Sequence, residues 1–243
     1  MFETIMTTIR FDFMKTLTTF LTLLISVSVF SQNLFSETDA FLKANVQDGL
    51  VNYAGIKKSP SKLNALLKEL AEAETFEGDE EKAFLINTYN IFVIKGIVDH
   101  YPIDGPLAID GFFDKKKFKF RGGYITLNDL EKGTLYKKFQ DARLHFALVC
   151  AAKGCPKLAS FAYTDEKLES QLEEKTRSVI NDTAFVRLDG PSAQVSLLFD
   201  WYASDFGGKD NVIPFIQKYL LKKIRLSPEY SFYEYDWSLN DQK

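Results

Sequence analysis

The residues best suited to chemistry fall in one short run, Arg143-Leu-His-Phe-Ala-Leu-Val-Cys150-Ala-Ala-Lys-Gly-Cys155-Pro156. A thiol becomes a nucleophile when a neighbouring base lowers its pKa, and histidine is a common base. Leu144 to Val149 reads as a β-strand, which puts Arg143 and His145 on one face and predicts a pocket that holds both. Cys150 then falls at the strand's end, where a turn begins, on a loop held by rigid elements. His145 and Cys150 face opposite sides of a straight strand, so a dyad between them requires a bulge. Two readings of Cys150 and Cys155 stay open. One is a disulfide closing the small loop between them, worth roughly 2 kcal/mol; the other is a free reactive thiol at Cys150. The spacing is not C-x-x-C, which argues against a thioredoxin-like pair.

Further candidates lie outside this run. Glu131 follows Thr126 and Asp129, which read as a capping-box pair, so Glu131 is not needed for the cap. It is a candidate acid, base or orienting carboxylate, or a partner for Arg143. Asn87, Tyr89 and Asn90 interrupt the otherwise apolar Phe84-Leu-Ile-Asn-Thr-Tyr-Asn-Ile-Phe. A buried amide left unpaired costs roughly 1–3 kcal/mol, so Asn87 and Asn90 must bind backbone, another side chain or a ligand. Asp200-Trp201-Tyr202 and Asp205 follow a predicted strand, where they either line a cleft or pack as an aromatic-rich loop. With two histidines in the chain and no zinc-type spacing, no metal site is read apart from an open option of calcium on loop carboxylates. No Gly-rich phosphate loop, serine elbow or dinucleotide fingerprint is present, and no cofactor is implied.

These residues need a scaffold, and the front of the chain is not part of it. From Met14, the more natural start, Lys15 precedes an apolar run from Leu17 to Phe30, with Val29-Phe30-Ser31 as a cleavage site before Gln32. The run falls short of the roughly 20 residues a bilayer needs. Residues 1–31 are therefore expected to be an extension and signal peptide, and the protein to be exported to the periplasm or beyond with no membrane span after cleavage. No cysteine follows the apolar run to take a lipid. Residues 32–243 suit one domain. A net charge of -3 argues against a nucleic-acid binder, which would need a basic field. Its partners are expected to be a small molecule, a peptide or an envelope component.

Periodicity predicts helices from Ser59-Pro60 to Glu74, from Asp79 through Val98, from Thr126 to about Phe139, after Thr164, and from Asn211 through Leu221. The second is apolar on most sides and should be the buried central helix. Strands are predicted at Lys117 to Phe120 and Tyr124 to Thr126 (a hairpin), Phe185 to Leu188, Val195 to Phe199, and Phe232 to Trp237. The expected fold is α+β: a single domain with a buried central helix, several flanking helices and a small, mainly antiparallel sheet.

Five ordered motifs carry a resemblance. They are Lys82-Ala-Phe-Leu-Ile-Asn-Thr-Tyr-Asn90, Ile125-Thr-Leu-Asn-Asp-Leu-Glu131, the Arg143-to-Cys150 run with Gly154-Cys155-Pro156, Phe199-Asp-Trp-Tyr202, and Tyr235-Asp-Trp-Ser-Leu-Asn240. Together they resemble the family called domain of unknown function 547, over about Phe41 to Asn240. One departure is Lys132, where the family pattern has a histidine after the glutamate. The resemblance implies a shared pocket, with Asn87, Asn90, Glu131, Arg143, His145 and Cys150 in one constellation, but no established reaction. The leading expectation is a hydrolase or transferase. Cys150 or Glu131 would act on a peptide or cell-envelope substrate, His145 would be acid/base, and Arg143, Asn87, Asn90 and Asp200 would position it. The alternative is a non-catalytic ligand- or protein-binding domain with a structural Cys150–Cys155 disulfide.

Overall fold

The computed structural model of the protein describes residues 33–242, so the expected signal peptide lies outside the described residues. A helix over 33–45 (α1) leads into a tight hairpin, β1 (Val46–Gln47) and β2 (Leu50–Val51). Asp48 and Gly49 turn it with φ of 51° and 83°, the left-handed pair that a two-residue hairpin loop requires. Two helices follow, α2 (Tyr53–Lys58) and α3 (Ser61–Glu72). In α3, Leu63, Leu66 and Leu70 face inward, as their spacing predicts.

The next helix, α4 (Gly78–His100), is the central one. Nearly every residue from Glu81 to Val98 is buried, so its lack of an amphipathic stripe reports burial on all sides. Its two buried charges are paired at its start: Glu81 takes both ends of the Arg121 guanidinium at 2.8 and 2.6 Å, and Lys82 reaches Asp141 at 2.5 Å. The predicted hairpin is β3 (Phe118–Phe120) with β4 (Gly123–Ile125), antiparallel and turned at Arg121-Gly122. Phe118 and Phe120 pack on Phe92 of α4, with Phe118 stacked on it at 4.7 Å.

A π-helical segment, Asp129–Tyr136, comes next and runs into α5 (Lys137–Phe139). Thr126 and Asp129 bond reciprocally at its start, at 2.8 and 3.1 Å, as their spacing predicts.

Leu144 to Val149 is not a strand. Leu144–Ala147 forms a helical turn, α6, closed by Leu148 N–H on Leu144 C=O at 2.9 Å. The apolar run is buried on every side, and such a run cannot separate strand from helix by periodicity. Just before this turn the Asp141 Oδ1 accepts the Arg143 N–H at 3.0 Å, a local side-chain bond two residues on that favours a turn over a strand.

Beyond α7 (Leu168–Ile180), β5 (Val186–Asp189) and β6 (Ser192–Ser196) pair antiparallel. The chain then departs through α8 (Leu198–Trp201) and α9 (Val212–Tyr219) and returns as β7 (Tyr230–Tyr233), parallel to β6. Phe199, expected to end a strand, lies in α8. The long excursion is what a parallel partner needs.

Helices with small, mainly antiparallel sheets make this an α+β single domain. One apolar cluster surrounds α4 and another lies under the three-stranded sheet. Helix α6 bridges them, with Leu144 and Ala147 in the first and Phe146 in the second. No helix among the described residues is long and apolar enough to cross a membrane.

Candidate functional site

A cleft of about 340 Å³ opens where α4, the π-helical segment, α6, α8 and the segment after β7 converge. Each element supplies one or two of its side chains. Tyr89 comes from α4, Glu131 from the π-helical segment, His145 from α6, and Trp201 and Tyr202 from α8 and its end. Tyr235 and Trp237 arrive from the segment after β7, which threads along the Cys150–Cys155 loop. Lys153 and Gly154 donate to the carbonyls of Ser238 and Asp236, each at 2.8 Å, and Asn240 donates to Ala151 at 3.0 Å. Gly105 lets this segment pass: a Cβ there would sit 2.2 Å from the Trp237 carbonyl oxygen.

Glu131 is buried, and Tyr202 donates its hydroxyl to Oε1 at 2.9 Å. Tyr89 lines the same cleft, and its hydroxyl also favours the Glu131 carboxylate. Burial pushes the Glu131 carboxyl above the ordinary glutamate range; the two hydroxyls and Lys132 pull the other way without overcoming it. His145 lies between the rings of Tyr136, 4.4 Å away, and Tyr202, 3.9 Å away. Its Nε2 is 2.9 Å from Oδ2 of Asp205. Burial holds the imidazole well below its usual range, against the pull of Asp205. A neutral imidazole that donates Nε2–H to Asp205 keeps Nδ1 as its lone-pair nitrogen. Tyr202 links the two groups, its ring on His145 and its hydroxyl on Glu131.

Cys150 and Cys155 are joined as a disulfide that forms part of the cleft wall. The Tyr235 hydroxyl lies 3.2 Å from the Cys150 sulfur and 3.1 Å from that of Cys155. A disulfide has no thiolate, so Cys150 has no nucleophile to offer in this form.

The other predicted residues stand apart from the cleft. Asn87 donates to the Tyr163 carbonyl at 2.8 Å and accepts the Tyr163 N–H at 2.9 Å. Asn90 does the same for the loop beyond α6, donating to Ala147 C=O and accepting Val149 N–H, both at 3.0 Å. Both amides are consumed by backbone, and Asn90 fixes the segment between His145 and Cys150.

Arg143 and His145 do not share a face. Two residues apart on a helical turn they point to nearly opposite sides, whereas on a strand they would have pointed together. Arg143 instead grips Asp141 at 2.8 Å and Glu169 at 2.9 Å, so it is no partner of Glu131. Burial pushes the Asp141 carboxyl up, but Arg143 and Lys82 hold it down to about 2. Asp200 faces outward and takes Lys209 at 2.7 Å. Lys132 places its ammonium 5.9 Å from the centre of the Tyr202 ring.

These positions can be set beside known proteins. Residues 73–180 match the model of a family described as protein of unknown function, DUF547. The match bears out the resemblance over the span from α4 through α7, which holds Glu131, His145 and both cysteines. The motifs that carry Trp201, Tyr202, Tyr235 and Trp237 lie beyond it. No curated protein and no solved structure matches the chain.

Sequence reasoning picked out Glu131, His145 and Cys150, and noted Tyr89, Tyr202 and Asp205 as polar residues near possible sites. It gave no role to Tyr136, Asn128, Tyr235 or Trp237. For the last two a signal existed: Tyr235-Asp-Trp was part of the family resemblance. Among the described residues, no group of three or more His, Cys, Asp and Glu side chains could hold a metal ion.

Proposed function

We propose that the cleft is the acid–base site of an exported hydrolase or transferase. Glu131 is the group that gives and takes a proton at the substrate, and the His145–Asp205 pair is the second acid–base group. One observation carries this reading. A single cleft holds a carboxyl raised and an imidazole lowered by their surroundings, with Tyr202 touching both. Opposed shifts in neighbouring groups keep the acid form of one and the base form of the other available at the same pH. In this reading Cys150 is wall and not nucleophile. The disulfide also supports export, because such bonds persist in oxidising compartments. Protein recovered from outside the cytoplasm should begin at Gln32 by N-terminal sequencing.

A second reading, a non-catalytic binding domain, draws support from the fact that Glu131 and His145 both already have partners. Turnover separates the two. A panel of chromogenic esters, peptides and glycosides should contain a substrate whose kcat falls about 100-fold or more in Glu131→Gln, the usual yield of one acid–base group. The double variant Cys150→Ser/Cys155→Ser should keep most of that turnover. Turnover unaffected in Glu131→Gln would refute the acid–base assignment. A ligand bound but never converted would favour the binding domain.

A further inference from the structure

The mouth of the cleft carries an aromatic group that acid–base chemistry does not use. Trp201, Tyr235 and Trp237 touch in a triangle, with ring centres 4.8, 5.7 and 4.7 Å apart. Trp201 is 47% exposed, an unusual placement for an indole. The two indoles lie nearly parallel, with 27° between their planes. Tyr235 stands across both, at 57° to Trp201 and 53° to Trp237, so the group pairs two near-parallel indole faces with one crossed phenol.

The rest of the lining is equally particular. Hydroxyls come from Tyr89, Tyr202 and Tyr235, an amide from Asn128, and carboxyls from Asp114 and Glu131. No lysine or arginine lines the cleft. Such a surface offers nothing to a phosphate or carboxylate ligand. The Asn128 amide and the two indole N–H groups add hydrogen-bond donors to this lining.

From these observations we infer that the cleft binds an uncharged saccharide, one ring of which lies on the Trp201–Trp237 platform. A pyranose ring presents an apolar C–H face to an aromatic plane and a rim of hydroxyls to amides, carboxyls and phenols. Both complements are present, and the volume is at the small end of the roughly 300–1,000 Å³ of ligand clefts. The inference rests on the proposed acid–base site, since it names the substrate class of the same cleft.

The test uses an unusual property of the chain. Its two tryptophans are Trp201 and Trp237, so intrinsic tryptophan fluorescence reports on the cleft mouth alone. The protein is titrated with cellohexaose, chitohexaose and maltohexaose, and with choline and an uncharged hexapeptide as controls. The expected result is a saturable fluorescence change with a saccharide and with neither control. By calorimetry, Trp201→Ala should then bind about tenfold or more weakly. No saturable response to any of the three saccharides would overturn the inference, whether or not choline or the peptide gives one, as would saccharide affinity unchanged in Trp201→Ala. Saccharide binding without Glu131-dependent turnover would sink the acid–base reading and leave the ligand class standing. Glu131-dependent turnover of an ester or peptide, with no saccharide bound, would do the reverse.

Discussion

Replacing Asn90 tests whether the chemistry-bearing segment is held by this amide or merely lies beside it. The side chain is buried and makes two bonds to one stretch of backbone, to Ala147 C=O and from Val149 N–H, both at 3.0 Å. Asn90→Ala would strand one buried donor and one buried acceptor. Each unsatisfied group costs about 1–3 kcal/mol, so the loss should be about 2–6 kcal/mol before any cavity term. That is a large part of the roughly 5–15 kcal/mol that holds a typical domain folded. Asn90→Asp makes a sharper version. One carboxylate oxygen still accepts from Val149, but the other meets the Ala147 carbonyl oxygen, acceptor against acceptor. Protonation restores a donor, so this variant should regain stability relative to the wild type as pH falls. Urea unfolding of all three proteins at about pH 7 and about pH 5 reads both effects. A loss below about 0.5 kcal/mol in Asn90→Ala, or an Asn90→Asp deficit indifferent to pH, would refute the clamp. Lost turnover with intact stability would instead make Asn90 a substrate group.

Other expectations follow from the same contacts. Glu81→Ala leaves the Arg121 guanidinium without its buried two-point partner and should cost about 3–5 kcal/mol in urea unfolding; a change near zero would mean the pair is dispensable. Reducing Cys150–Cys155 should lower stability by about 2 kcal/mol, because the closed loop is short, and should expose two thiols under denaturing conditions. Two thiols found without reductant would contradict the disulfide. Because burial lowers the His145 pKa to about 4, the unfolded chain binds this proton first as pH falls. Stability from this group is complete above about pH 6.5 and drains toward pH 4, with about 2 kcal/mol lost between about pH 7 and pH 5. Melts of wild type against His145→Gln should show that difference; parallel pH curves would contradict a buried neutral imidazole.

The central helix was the most legible part of the sequence, because a run of apolar residues on every side can only be buried. Hairpin β3–β4 was legible for the opposite reason: its alternation and glycine turn are local signals. The turn at Leu144 was not, since burial on all faces erases the difference between periods of two and 3.6. That error mattered. It put Arg143 beside His145, when one residue's worth of helical rotation more or less decides which side chain enters the cleft. Asp141, two residues before Arg143 and able to bond its N–H, was the available clue. Site residues were legible where a polar type interrupts apolar surroundings, as at Glu131 and His145. Tyr235 and Trp237 were marked only by the family resemblance, because tertiary threading of the C-terminal segment past the disulfide loop brings them in, and aromatic residues look like core. The open choice at Cys150 depended on an oxidation state that spacing alone does not determine.

The most direct test of the acid–base site is a carbon-detected NMR titration of the Glu131 side-chain carboxyl, assigned by its disappearance in Glu131→Gln. The midpoint should lie above the ordinary glutamate value, because burial outweighs its hydrogen bonds. Tyr202→Phe removes a hydroxyl that favours the carboxylate, so the midpoint should move higher still. A midpoint at or below 4.5, or one that ignores the loss of the Tyr202 hydroxyl, would contradict the proposal that Glu131 is the proton-transferring group of this cleft.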